Sequence, residues 1–223
     1  MRRSATARRA RPGSSHPASR GRARARGQAQ RSNYIGNVKG ATAKGAELET
    51  IWAPTDHWRL NFAGSYVQSE FKNGTVDTTF GRLCESSAPV CTFLPRSTTL
   101  PNGGAAIGGK RLARTPETKV SVGAEYSFPV FGEWELSLRG DVNYQGKYYV
   151  ENLNLGVLPS RTLLNANVSL TDPDGHWYAS LWAKNLTDEL YASSAIAIST
   201  TNTFVPTLGD LRSAGLTVRY NFK

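Results

Sequence analysis

The chain has 223 residues, of which 27 are Lys or Arg and 17 are Asp or Glu, giving a formal net charge of +10. Ten of the basic residues are arginines between Arg2 and Arg31, so the 17 basic residues that follow balance all 17 acidic ones. A charge excess confined to one short segment excludes a basic nucleic-acid-binding body, and no stretch approaches the roughly 20 consecutive apolar residues of a transmembrane helix.

The segment 1–32 contains ten Arg and seven Ala but no acidic residue and no Leu, Ile, Val or Phe. It cannot bury enough apolar surface to offset the entropy of ordering, so we predict a disordered tail. A signal peptide is excluded because no apolar stretch of about 7–15 residues follows the basic region. We expect a non-native leader without function. The alternative is a basic arm for nucleic acid or anionic lipid.

From residue 33 to residue 223, apolar and polar side chains alternate with the period of two that is typical of half-buried β-strands. This pattern predicts an all-β, antiparallel body of about seven strands and no helix. In chain order the predicted strands are Gly45–Trp52, Trp58–Tyr66, Lys119–Phe128, Trp134–Tyr144, Thr162–Leu170, Trp177–Leu186 and Ser213–Phe222.

The links between the predicted strands alternate in length. The short links, which carry Pro or Gly beside polar residues as turns do, are Ala53–His57, Pro129–Glu133 and Asp172–His176. The long links are Lys72–Arg114, Glu151–Arg161 and Thr187–Leu211. Short turns at one rim, long loops at the other and strands of about ten residues favour a transmembrane β-barrel segment. A soluble β-sandwich that binds carbohydrate or protein would alternate in the same way and is the alternative.

Four stretches carry a resemblance to a known family. They are 44–49 (KGAELE), 114–116 (RTP), 184–191 (KNLTDELY) and 209–222 (GDLRSAGLTVRYNF). The third contains Asn185, Leu186, Asp188 and Tyr191, and the fourth ends at Phe222. In this order and spacing they resemble the C-terminal part of TonB-dependent outer-membrane receptors, over about residues 33–222.

The resemblance implies an incomplete transmembrane β-barrel in the outer membrane of a Gram-negative bacterium. In this family, as the resemblance implies, a barrel of about 22 strands is closed by a plug domain. The receptor takes up a siderophore, vitamin or saccharide, and TonB supplies the force for uptake. The resemblance implies that this chain is a part that does not act alone. Its partners would be outer-membrane lipid, the missing strands and plug, TonB through the absent N-terminal part, and the barrel assembly machinery.

Two sets of residues are candidates for a local role. Asn185, Asp188 and Tyr191 are expected to fix a strand end and the start of an outer loop rather than to contact a ligand, since Asn and Asp bond nearby backbone. Cys84 and Cys91 lie in the longest link, which faces the oxidising exterior on the barrel interpretation, and are a candidate disulfide. Two reduced, inert thiols are the alternative.

The remaining polar residues do not form a recognisable catalytic or metal-binding pattern. Six charged residues fall mainly on the polar phase of the strands and are expected to face the barrel interior, namely Glu47, Glu49, Arg139, Asp141, Lys184 and Arg219. The three His are far apart in sequence and have no neighbouring nucleophile motif. We therefore predict no enzymatic activity, no cofactor, no metal and no nucleic-acid partner.

Overall fold

The computed structural model describes residues 39–77, 105–198 and 203–222. The chain divides into two units, Met1–Tyr34 and Ile35–Lys223, and every described residue belongs to the second. Within the described ranges, no helix is long and apolar enough to cross a membrane. The regular structure in these ranges consists of thirteen strands, numbered β1 to β13 in chain order.

Seven of these strands form one antiparallel sheet. They are β1 (Ala41–Trp52), β2 (Trp58–Phe71), β5 (Thr118–Val130), β6 (Trp134–Gln145), β9 (Arg161–Thr171), β10 (Trp177–Lys184) and β13 (Ser213–Tyr220). Their order in the sheet is β1-β2-β5-β6-β9-β10-β13, so each pairs with the next long strand along the chain. In the part of the chain that is described, β1 and β13 are unpaired edges, and the sheet is an incomplete barrel as predicted.

The strand ends differ from the predicted ones in physically interpretable ways. Ala41 pairs with Phe71, so β1 and β2 both extend past the predicted limits Gly45 and Tyr66. The predicted strand Trp177–Leu186 is wrong at its end, because β10 stops at Lys184. The backbone of Asn185 has a φ of 49°, in the left-handed region, which lies outside the extended conformation of a regular strand.

The long links contain three small two-stranded sheets that the alternation pattern does not predict. These are β3 (Val76–Asp77) with β4 (Ala105–Ala106), β7 (Tyr148–Tyr149) with β8 (Val157–Leu158), and β11 (Ala192–Ile198) with β12 (Thr203–Leu208). All three lie at one end of the main sheet, which we call the long-loop end. The opposite end, where the links after β1, β5 and β9 are short, is the short-turn end.

The register of the main sheet separates apolar from polar side chains. Val122 of β5 pairs with Phe62 of β2 and Val142 of β6, and the same alternation runs across the seven strands. The apolar face includes Leu48, Leu60, Phe62, Val120, Val122, Leu136, Leu138, Val142, Leu164, Val168, Leu181, Leu216 and Val218. Much of this face is uncovered: Leu216 is 68% exposed and Leu181 60%.

Aromatic rings of the apolar face collect near the ends of the strands. At the short-turn end Tyr126 lies 4.8 Å from Trp58, and Tyr220 lies 4.8 Å from Trp177, both measured between ring centroids. The rings of Tyr66 and Tyr144 occupy positions near the long-loop end of the same face. Aromatic residues in two bands at strand ends are typical of the membrane–water interfaces of outer-membrane barrels.

The buried apolar residues lie mainly in the links of the long-loop end rather than under the sheet. One cluster joins the end of β2 to the β3–β4 and β7–β8 links and contains Phe71, Ala105, Ile107 and Leu153. A second cluster joins the β7–β8 and β11–β12 sheets and contains Val150, Leu158 and Ala195, with Phe204 packed against it. The β7–β8 link therefore contributes to both clusters and connects the three long links.

Candidate functional site

The polar face of the main sheet is the face opposite the apolar one. Its charged and amide residues are Glu47, Glu49, Arg59, Asn61, Lys119, Glu125, Glu135, Arg139, Asp141, Asn143, Gln145, Arg161, Asn165, Asn167, Lys184 and Arg219. The six charged residues expected to face the interior share this face. Every buried polar side-chain atom in the described ranges has a hydrogen-bond partner.

Arg139 is the centre of a charged cluster near the middle of the polar face. Its guanidinium donates to the Asp141 carboxylate at 2.7 and 3.0 Å and to Glu125 at 3.3 Å. The amide oxygen of Asn61 accepts a further bond at 3.3 Å. These contacts join β2, β5 and β6 and leave the Arg139 guanidinium fully engaged, so we assign the cluster to wall structure.

Hydroxyl and amide side chains continue this network toward the short-turn end. The hydroxyls of Ser127 and Ser137 lie 2.7 Å apart across β5 and β6. The amide of Asn167 donates to the hydroxyl of Ser180 at 2.6 Å, between β9 and β10. The indole of Trp182 donates to the Thr217 hydroxyl at 3.2 Å, between β10 and β13. A polar surface thus extends to the β13 edge.

The row of the polar face nearest the long-loop end is more basic. Lys119 of β5 pairs with Gln145 of β6, which pairs with Arg161 of β9. Arg161 donates to the Gln145 side chain at 3.3 Å, and its guanidinium lies 4.5 Å from the centre of the Tyr191 ring. Neither contact neutralises the charge on Arg161. Glu47 is in the same row but two strands from Lys119, or about 10 Å at the usual strand spacing.

A cleft opens above this row, between the β4–β5 link, the β7 segment and β11. Its polar lining consists of Arg114, Lys119, Gln145, Tyr148, Ser193 and Ser194, and no acidic residue of the described ranges lines it. The Tyr148 hydroxyl donates to the Ser193 carbonyl at 3.0 Å, which joins the two links across the cleft. We call this the long-loop cleft.

The long links are hydrogen-bonded to each other as well as packed. The amide of Arg111 donates to the Asn154 side-chain oxygen at 2.7 Å, and the Asn154 side chain donates back to the Arg111 carbonyl at 2.9 Å. Lys110 donates to the Leu153 carbonyl at 2.9 Å. The buried carboxylate of Glu151 accepts three amides of its own link, with distances of 2.5, 2.5 and 3.0 Å. These bonds fix the link that connects the two apolar clusters.

Asn185 of the family motif lies at the end of β10, where its side chain is 3% exposed. The side-chain oxygen accepts the Glu189 amide at 2.9 Å, and the side-chain nitrogen donates to the carbonyls of Glu189 and Asp210 at 3.0 and 3.2 Å. The Asn185 amide donates to the Asn165 side chain at 3.1 Å. One residue thus joins β9, β10 and the link that leads into β13.

The other motif residues after β10 surround this contact. Asp188 faces Arg212, with 3.6 Å between carboxylate and guanidinium, and the Leu186 amide extends the pairing to the Leu164 carbonyl at 2.8 Å. The Tyr191 carbonyl accepts the Gly209 amide at 2.9 Å. A side chain at Gly209 would overlap the Tyr191 ring, so this close approach requires glycine.

The remaining candidate residues are not brought together with this turn. Phe222 lies beyond β13 at the short-turn end, where its ring meets Tyr220 edge-on at 4.7 Å between centroids. Cys84 and Cys91 lie outside the described residues, so their candidate disulfide remains a prediction.

Three residues with metal-ligating side chains, Asp172, Asp174 and His176, meet at the turn between β9 and β10, with ligand atoms within 4.8 Å of one another. Asp172 already accepts the Trp177 amide at 2.9 Å, which closes the turn. Of the two acids Asp174 is the exposed one, and exposed acidic groups are common without an ion.

The sequence pattern alone predicts neither the long-loop cleft nor the role of Glu151. In the sequence, Arg114 stands out only as part of the RTP stretch, and Lys119 only as a polar-phase residue of a strand. Their proximity depends on how two links fold back over the sheet, for which the local pattern contains no signal. An isolated acid followed by Asn and Gly, as in residues 151–156, was the one available hint of a backbone-binding carboxylate.

Comparison with known proteins places this architecture in a family. The family described as "TonB dependent receptor-like, beta-barrel" matches residues 10–186, which include β1 to β10 and part of the arginine-rich segment. Solved structures with a similar fold include the ferric yersiniabactin uptake receptor of Yersinia pestis, with a TM-score of 0.63 and 18% identity over 82% of this chain and 24% of that one.

Two further receptors share the fold at comparable coverage. The ferric preacinetobactin receptor of Acinetobacter baumannii has a TM-score of 0.54 and 22% identity, over 82% of this chain and 22% of that chain. The ferripyoverdine receptor of the Pseudomonas aeruginosa outer membrane has a TM-score of 0.52 and 17% identity, over 82% and 20%. The chain thus spans about a quarter or less of the length of these receptors. With the family match covering most of its length, the chain belongs to the TonB-dependent receptor-like β-barrel family.

Proposed function

We propose that the chain forms part of the wall and outer mouth of a nutrient-uptake receptor in the outer membrane of a Gram-negative bacterium, and that it is not an enzyme. The role of this part of the receptor is passive: the apolar face of the main sheet contacts lipid, and the long links contribute to capture of the nutrient. The rest of the barrel, a plug domain and TonB would supply closure and force, and the barrel assembly machinery would insert the strands.

The contrast between the two faces of the main sheet carries this proposal. The polar face is held by charged and hydroxyl networks such as the one around Arg139. The apolar face exposes aliphatic side chains, including Leu138 and Val142 at 40% each. Large exposed apolar surfaces are unfavourable in water but are what a lipid-facing barrel wall requires.

The alternative, a soluble β-sandwich, needs a second layer over the apolar face. Sandwich sheets pack about 10 Å apart with interdigitated side chains. In the ranges that the structure describes, the other three sheets have two strands each and lie at the long-loop end, so none covers the apolar face. This observation opposes the sandwich and favours contact with acyl chains.

The nutrient belongs to the class of siderophores, vitamins or saccharides, with an iron chelate favoured. The three related receptors are described as receptors for ferric yersiniabactin, ferric preacinetobactin and ferripyoverdine.

We further propose that Asn185, Leu186, Asp188 and Tyr191 fix the exit from β10, that Phe222 serves the assembly machinery, and that Cys84 and Cys91 form a loop disulfide.

Spin-label accessibility tests the lipid-facing assignment. The full chain carrying Val142→Cys or Asn143→Cys, with Cys84 and Cys91 replaced by Ser, is prepared in outer-membrane vesicles. We expect the label at 142 to be relaxed mainly by oxygen, which concentrates in lipid, and the label at 143 mainly by a water-soluble nickel chelate. Equal nickel accessibility at both positions would contradict the proposal.

A separate experiment tests uptake. A strain lacking the gene is grown under iron limitation, and accumulation of radioactive iron is compared with that of a labelled vitamin and a labelled saccharide. Loss of iron accumulation is expected, with restoration by a plasmid copy. Unchanged accumulation of all three nutrients would contradict the uptake proposal.

A further inference from the structure

The geometry of the long-loop cleft points to a binding site for a small multivalent anion that carries carboxylate or phosphate groups. We propose that Arg114 and Lys119 hold this anion, with Arg161 at the adjoining end of the basic row. The inference rests on the proposed uptake function and narrows the class of nutrient: the molecule captured at the long-loop end is acidic.

The first observation is the charge of the cleft. Arg114 and Lys119 both line it, and within the described ranges neither side chain has an ion-pair or hydrogen-bond partner. Both residues are exposed, so their cationic groups are available. In the described ranges Arg161 bonds the neutral Gln145 side chain and lies over the Tyr191 ring. It shares the adjoining pocket of the polar face with Glu47 and Glu49 but forms no ion pair with either.

The second observation is that nearby acids are committed elsewhere. Glu117 forms an ion pair with Arg111 at 2.6 Å. Glu151 accepts three backbone amides, and Glu189 accepts the Thr162 amide at 3.0 Å. Asp188 faces Arg212 at 3.6 Å. These four carboxylates are therefore engaged away from the cleft. Two further acids, Glu47 and Glu49, line the adjoining pocket with Lys119 but do not line the cleft itself.

The third observation is that the backbone presenting Arg114 is fixed. Its φ is 57°, a conformation that non-glycine residues adopt only when the surroundings hold them there. The Arg114 amide donates to the Tyr149 carbonyl at 2.7 Å, and the next link residue, Thr115, donates its hydroxyl to the Ala113 carbonyl at 3.2 Å. A side chain on such a prepared backbone loses less entropy when it binds a ligand.

The chemistry of the lining indicates the class of ligand. A guanidinium bonds the paired oxygens of a carboxylate or phosphate with two parallel hydrogen bonds, and a lysine ammonium adds a point charge. The hydroxyls of Tyr148 and Ser194 lie in the same lining and suit additional oxygens. Because Lys119 and Arg161 belong to the polar face, the site opens away from the lipid-facing surface, which favours a soluble anion over a lipid headgroup.

Calorimetric titration of the full-length chain in neutral detergent tests the proposal. The probes are citrate, a tricarboxylate; pyrophosphate, a phosphate anion; and maltotriose, a neutral molecule. We expect citrate or pyrophosphate to bind and maltotriose not to bind, and we expect binding to weaken as salt is raised. Lys119→Gln and Arg114→Gln should each raise the Kd of the anion about tenfold, the usual effect of losing one charged hydrogen-bonding partner.

Arg59→Gln is the matched control, because Arg59 is an exposed cation of the same polar face near the short-turn end. It changes the net charge equally and should leave the Kd unchanged. Should Arg114→Gln fail to fold, Lys119→Gln in a regular strand still decides the outcome. Anion binding that is absent, insensitive to Lys119→Gln, or weakened equally by Arg59→Gln would overturn the inference.

Failure of the anion site and failure of the uptake proposal are distinguishable. The spin-label pattern at positions 142 and 143 does not depend on the cleft. If that pattern is as expected and citrate and pyrophosphate do not bind, the acidic-nutrient inference alone is wrong. If citrate competes with pyrophosphate for one site, the shared anion chemistry is confirmed. The tighter of the two then identifies carboxylate or phosphate as the preferred group.

Discussion

The two ends of the main sheet are built on different principles. At the short-turn end, each reversal takes a few residues and is closed by local groups: the Thr55 hydroxyl accepts the amides of His57 and Trp58, and Asp172 accepts the amide of Trp177. Single bonds add contacts between neighbouring strand ends there, as from Asn221 to the Gly175 carbonyl. At the long-loop end, the links are joined to each other over large sequence distances. Arg111 and Asn154, for example, are 43 positions apart.

Because of this difference, the two ends contribute to stability in different ways. A local turn costs little loop-closure entropy and can form by itself, so its bonds mainly set the strand register. The long links gain stability only when they are folded together around buried groups such as Leu153 and Asn185. The long-loop end therefore behaves as one cooperative layer, and a change at a single buried residue there should be felt across several strands.

The largest expected effect comes from Leu153→Ala. Leu153 is 1% exposed in the cluster that joins the β3–β4 and β7–β8 links to the end of β2. Truncation leaves a cavity, and we expect the free energy of unfolding to fall by about 3 kcal/mol. The measurement is urea unfolding in lipid vesicles, followed by tryptophan fluorescence.

Leu155→Ala is the matched control for this experiment. Leu155 is the same residue type in the same link but is 37% exposed, so its truncation should cost less than about 1 kcal/mol. If both variants lose the same stability, the long links do not form a packed layer, and the proposed contrast between the two ends is wrong.

An intermediate effect is expected for Asn185→Gly, which removes the side chain but tolerates the φ of 49°. The variant loses one accepted and two donated side-chain hydrogen bonds, to Glu189 and Asp210. We expect a loss of about 2 kcal/mol in the free energy of unfolding, since several buried backbone groups lose their partners. Hydrogen exchange should also accelerate at the Glu189 amide.

The short-turn end offers the control for Asn185. Asn221 makes one side-chain bond there, to the Gly175 carbonyl at 2.9 Å, and it is exposed. Asn221→Gly should cost less than about 1 kcal/mol. A larger loss for Asn221→Gly than for Asn185→Gly would reverse the comparison and place the more cooperative layer at the short-turn end.

The same difference explains which parts of the structure could be predicted from the sequence. The strands and the turns of the short-turn end are encoded by alternation and by Pro, Gly and Asp at fixed local offsets, as in Asp172–His176. Both were predicted to within a few residues. The family motif was also readable, because Asn185 and its neighbours are close together in sequence.

For the long-loop end, the sequence predicts only that the links are long. Its organisation depends on pairs such as Lys110 with Leu153 and Tyr148 with Ser193, which are 43 and 45 positions apart. Neither residue of such a pair carries a local signal of its partner. The cleft that Arg114 and Lys119 line is a product of these distant contacts, so its basic character could not be derived from spacing.

The smallest expected effect is that of Thr55→Ala. The Thr55 hydroxyl accepts amides at 3.3 and 3.2 Å in an exposed turn, where water can replace it, so the loss should be about 0.5–1 kcal/mol. Thr55→Ser keeps the hydroxyl and should restore the stability of the parent chain. Because all of β1 is paired with residues Leu60–Phe71 of β2, exchange should accelerate at the His57 and Trp58 amides and not at the long-loop end. Acceleration that reaches the Glu189 amide would show that the two ends unfold together, and their separation into a local and a cooperative layer would then be wrong.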